Sequence, residues 1–222
     1  MITNLTELAK KVDPEVVASK LLINHGSGEF KELELLSQKV AEYAKPHALY
    51  AEAAVEKVTA GSVKTNYGVF SSRILSERVR EKAIIFPYII TVGEEVESLS
   101  DGISSDPLLM YCLEIIKTEL LDNIFKQLQK HIEEAALSAA VSSIIPANDE
   151  SWSICGLREI FGCFSPAVLK ETSVKLQSSE VMYPFHSRSG VFIPSNKSTD
   201  VCEFCVSRNC THCPNRKLPD GK

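Results

Sequence analysis

The chain reads as a mixed helix-and-strand protein built around one core. Three observations carry that reading: two amphipathic segments near the start, a nearly continuous apolar run over 83–92, and a long stretch after Asp106–Pro107 with apolar residues at steps of three and four. A length of 222 residues suits one domain with a small appendage, and the boundary is placed between 1–198 and 199–222. Hydrophobic residues at 44% and charged residues at 24% match globular chains, so the bulk should fold. A formal charge of -5 works against a broad electrostatic grip on nucleic acid or an anionic membrane surface. No apolar run is long enough for a membrane span, and the start lacks the basic-then-apolar layout of a secretory signal, so a cytoplasmic protein is expected.

The elements follow in order. Asp13 and Pro14 supply an N-cap and a pre-set first helical φ for a helix through Val17 and Leu21 that stops near 24–28. A second helix over 29–45 puts Phe30, Leu33, Leu36, Val40 and Tyr43 on one stripe and ends at Pro46. Residues 48–58 suggest one strand, and Gly61 and Gly68 bracket another extended piece. Ser72 can cap a short helix carrying Ile74, Leu75 and Val79. The run over 83–92 is too rich in β-formers for a helix and reads as a central strand covered on both faces, although Pro87 implies a bulge or a free edge. Gly93 reads as a turn residue, and Glu94, Glu95 and Glu97 as charges suited to a helix N-terminus.

Asp106–Pro107 repeats the cap-plus-proline signature ahead of the strongest helix. Unbroken to about Ser143, it would be roughly 50 Å long. After Pro146 the pattern changes to short strands and loops, with one or two strands over 179–195.

Four of the seven cysteines fall near the C-terminus as Cys202-x2-Cys205-x4-Cys210-x2-Cys213. Two C-x-x-C pairs on tight turns can aim four sulfurs at one centre, and in a reducing compartment such clustering argues for metal rather than disulfides. Thiolates suit an iron-sulfur cluster or tetrahedral zinc. Cys213–Pro214 closing a short cysteine run favours iron-sulfur, with zinc as the alternative. His212 lies inside the cluster and reads as a solvent-facing turn residue, since four sulfurs already complete a site. Arg208, Arg216, Lys217 and Lys222 outnumber Glu203 and Asp220 there, an excess suited to offsetting a four-thiolate charge. Elsewhere, Cys112 reads as a buried small hydrophobe, and a redox pairing of Cys155 with Cys163 is the weaker reading of two cysteines around an expected strand. The remaining histidines, His25, His47, His131 and His186, have no neighbours at ligand spacing.

The order of these features resembles the activation domain of vitamin B12-dependent methionine synthase and its small free-standing relatives. Phe86-Pro-Tyr-Ile-Ile-Thr91-Val-Gly93-Glu-Glu-Val-Glu97 is similar to that family's strand ending in Thr-x-Gly-x-x-x-Glu. The helix after Asp106 follows, and Val191-Phe-Ile-Pro194-Ser-Asn-Lys197-Ser198 is similar to its Pro-Ser-Lys-Ser segment. Some free-standing relatives also end in a short cysteine-rich tail. The resemblance implies an α+β fold, a twisted antiparallel sheet with long helices packed on it, and a part in reactivating a corrinoid whose cobalt has been oxidised. It also implies a cobalamin-binding protein as partner.

The family's S-adenosylmethionine site uses an Arg-x-x-x-Gly-Tyr pattern. Its best counterpart here is Cys163-Phe-Ser-Pro166-Ala167-Val168, where Cys163, Ala167 and Val168 replace Arg, Gly and Tyr. Loss of the guanidinium fork and a β-carbon at Ala167 argue against S-adenosylmethionine binding. The functional expectation is therefore an accessory protein that docks a corrinoid protein and holds a cluster able to relay electrons. The competing expectation is a non-redox binding protein stapled by a zinc knuckle.

Overall fold

A computed structural model describes residues 1–148 and 150–195. The chain opens with β1 (Ile2–Leu5), α1 (Pro14–Leu21) and α2 (Gly28–Tyr43), followed by β2 (His47–Ala51), β3 (Ala53–Val58), β4 (Val63–Thr65) and β5 (Gly68–Phe70). Then come α3 (Arg73–Arg78), β6 (Ile84–Thr91), a 3-10 helix (Glu94–Ser100), α4 (Pro107–Ala135) and β7 (Ala140–Ile144). The last described elements are α5 (Gly156–Phe161), α6 (Pro166–Thr172), β8 (Lys175–Leu176), β9 (Met182–Tyr183) and β10 (Ser187–Ser195). Eight strands make one antiparallel sheet, and β8 and β9 form a separate two-stranded ribbon. The α+β architecture is as expected.

β6 is the central strand. It pairs with β2 and β3 along one edge and β10 along the other, and β10 passes the sheet on to β7. Its side chains alternate between two cores: Phe86, Tyr88 and Ile90 pack with α1, α2 and α4, while Ile85 and Ile89 pack with Trp152, Ile160 and Phe161 on the opposite face. The twice-covered strand is thus observed. Pro87 pairs in register with Val191 of β10 without a bulge. On the other edge the ladder steps from Tyr50–Tyr88 to Ala53–Ile85 in unchanged register. The expected single strand over 48–58 is therefore two, parted at Glu52; the same register sets Ala51, the last residue of β2, opposite Pro87, which lacks an N–H. Glu52 instead donates its N–H to the Met1 carbonyl at 2.9 Å.

Three other expectations are corrected. The long helix stops at Ala135, so its 29 residues span about 43 Å. Leu137 adopts φ 49° and ends it, and 140–144 leave the helix to pair with β10. Tyr43 is 47% exposed because the buried stripe of α2 passes from Val40 to Ala44, a step of four rather than three. The region after Pro146 contains two short helices as well as strands. Ser165 caps α6 by accepting from the Val168 N–H at 3.4 Å, and Pro166 stands at its first position. That is the signature that correctly located α1 and α4.

Candidate functional site

The turn that ends β6 organises the candidate site. Gly93 sits at φ 97°, and an added Cβ would lie 2.7 Å from the Lys45 carbonyl oxygen, so this position takes only glycine without strain. Thr91 Oγ1 accepts the Gly93 N–H at 3.1 Å, tying the two motif residues together. The three carboxylates that follow take three directions. Glu94 is exposed, Glu95 pairs with Lys45 at 2.7 Å, and Glu97 turns towards α4.

Glu97 enters a polar cluster whose centre is the buried Lys117. That ammonium, only 2% exposed, lies 3.2 Å from Glu97 Oε2 and 2.6 Å from Glu114 Oε1. His186, just before β10, completes the group, with Nε2 3.5 Å from Glu114 and Nδ1 3.9 Å from Glu97. The His186 backbone is tied to the end of β6, its carbonyl accepting the Val92 N–H at 3.2 Å. The His186 imidazole and the Lys117 ammonium hold the Glu97 carboxyl below the usual carboxylate range, against the cost of burial. At 3.9 Å the imidazole acts through its field; the direct contact is the Lys117 ion pair. Burial likewise pushes His47 down, opposed by Glu95 and Glu171.

Beyond Glu94, on the other face of the sheet, lies a cavity of about 730 Å³. Phe161, Leu169, Val174 and Leu176 supply its apolar walls, and Lys170 and Lys175 border it. The segment Cys163–Val168 runs into this region through Pro166, which also lines the cavity. Cys163 is buried, donates to the Glu159 carbonyl at 3.5 Å, and has its thiol pushed up to about 12 by burial and by Glu159. It is a packed thiol rather than a reactive one. Cys155 is exposed at the other end of α5, and a helix, not the expected strand, separates the two. Both are free thiols with α5 between them. Cys112 is buried as expected.

Cys202, Cys205, Cys210 and Cys213 lie outside the described residues. Among the described residues, no cluster of three or more His, Cys, Asp or Glu side chains is arranged to hold a metal ion. Three histidines have other partners: His25 pairs with Glu15 at 2.7 Å, His47 faces Asn4 at 3.3 Å, and His131 bonds the Tyr50 hydroxyl at 3.0 Å. The tie between His186 and α4 was invisible in the sequence, since Glu114 and His186 stand far apart in the chain and carry no spacing rule. No helix among the described residues is long and apolar enough to cross a membrane.

An eight-stranded antiparallel sheet with a long helix on one face, and a Thr-x-Gly-x-x-x-Glu turn ending its central strand, defines a fold of the methionine synthase activation-domain type. The crystal structure of the MetH reactivation domain bound to AdoHcy superimposes with a TM-score of 0.67, covering 90% of this chain and 80% of that one at 12% sequence identity. That likeness is one of fold. No protein-family model matches the chain, and no curated protein matches it either.

Proposed function

We propose that this protein is a metal-binding accessory factor that docks a corrinoid protein and supports its reductive reactivation. The observation that carries the reading is the fold, shared over 90% of the chain with the MetH reactivation domain. The body supplies the docking shape. Cys202, Cys205, Cys210 and Cys213 would hold one centre, and four thiolate donors fit an iron-sulfur cluster by their chemistry. Such a cluster, when bound and reduced by an external one-electron donor, supplies single electrons to oxidised cobalt. The basic residues around the cysteines offset thiolate charge or meet an acidic partner. In the alternative reading the same thiolates hold a structural zinc, and the protein binds without redox chemistry.

Within this reading S-adenosylmethionine is not a ligand, a view supported by Cys163, Ala167 and Val168 at the matched positions. The test is anaerobic mixing of the pre-reduced protein with a cobalamin-binding protein in its Co(II) state, followed by electron paramagnetic resonance. Loss of the Co(II) signal that depends on this protein and fails with Cys205→Ser is expected. An unchanged signal, or the same loss with the variant, would overturn the redox role.

A further inference from the structure

We propose that the cavity between α6, β8 and the turn after β6 binds a small amphipathic anion, an organic carboxylate with an aliphatic or aromatic body. Its volume of about 730 Å³ lies within the range of roughly 300–1,000 Å³ typical of small-molecule sites. The walls are apolar and preformed. Phe161 and Val174 belong to the second core and are 8% and 2% exposed, and Leu169 and Leu176 pack on that core from the cavity side. An apolar body placed there would therefore displace water from walls packed on the second core.

Charge selects the sign of the ligand. Lys170 and Lys175 border the cavity, and among the described residues neither ammonium has a carboxylate partner. In a chain with a formal charge of -5, two unpaired lysines beside an apolar cavity form a local positive field. Glu94 is the acidic lining group and comes from a different element, so an anion is favoured at the lysines and disfavoured at Glu94. That asymmetry orients a ligand with one charged end. The cavity lies across the sheet from the Lys117 cluster, and its occupancy requires neither metal nor corrinoid.

The experiment is calorimetric titration of the full chain with decanoate, below its micelle concentration, and with decyltrimethylammonium as the charge-reversed probe. Saturable one-site binding of decanoate without binding of the cation is expected, together with about tenfold weaker binding in a Lys170→Glu/Lys175→Glu variant. Both lysines are exposed, so the substitutions leave the core intact. A Lys170→Gln/Lys175→Gln variant, checked by circular dichroism, gives an intermediate loss that separates charge from misfolding. No saturable decanoate binding, equal binding of both probes, or affinity unchanged in both variants would overturn the proposal. None of these outcomes depends on the tail's metal or on docking, so the corrinoid reading stands or falls separately.

Discussion

Gly93, Lys117 and Cys163 each show how one side chain constrains the candidate site. Gly93→Ala combines a positive φ with a Cβ 2.7 Å from the Lys45 carbonyl, and should cost about 1–3 kcal/mol, read from the shift of a urea unfolding curve. Lys117→Ala leaves two carboxylates facing each other without their cation. A buried ion pair broken on one side costs about 3–5 kcal/mol, but Glu97 and Glu114 keep some water contact, so about 2–3 kcal/mol is expected. The Glu97 carboxyl sits below its unfolded value, so the unfolded state binds more protons as pH falls through that window. Its contribution is present above the ordinary carboxylate value and is lost as pH falls through the folded one. Stability should thus rise with pH across the acid range, and Glu97→Gln should flatten that slope in denaturation curves recorded at several pH values. For Cys163, Ala167 and Val168 the expectation concerns binding: without a guanidinium fork the loss is roughly ten- to a hundredfold, and calorimetry finding micromolar S-adenosylmethionine binding would contradict it.

At the scale of elements, the legible parts were those with local chemistry. Asp13–Pro14, Ser72 and Asp106–Pro107 located three helices because a cap's side chain bonds its own first turn, as Asp106 does to the Leu108 and Leu109 N–H groups at 2.9 and 3.0 Å. Asp106→Ala should accordingly lower stability by about 1 kcal/mol, measured by thermal or urea unfolding. Where the sequence misled, a distant partner had decided the outcome. Residues 140–144 share the apolar spacing of α4, yet β10 takes them as a strand, while Glu133 Oε1 accepts the Val141 N–H at 3.4 Å. The break between β2 and β3 falls next to Ala51, which faces Pro87 on the neighbouring strand, a partner that no reading of 48–58 alone contains. The polar cluster was half legible. Thr91, Gly93 and Glu97 stood out as a motif, but Lys117 and His186 join them only through folding.

On the scale of the whole molecule, one sheet separates two cores with different uses. The α4 side carries the larger apolar cluster and the charges around Lys117 that lock β10 to the turn after β6, and the opposite side carries the cavity beside α6. The fold joins this body to the MetH reactivation domain, while the four-cysteine tail is what sets the proposed chemistry apart from simple docking. Metal content decides between a redox factor and a stapled binding protein. Protein purified without oxygen should be brown, with broad visible thiolate-to-iron absorption and iron and sulfide in equal amounts, and should lose both when Cys202, Cys205, Cys210 or Cys213 is changed to Ser. A colourless protein with one zinc per chain, or four variants that keep full metal, would contradict the account.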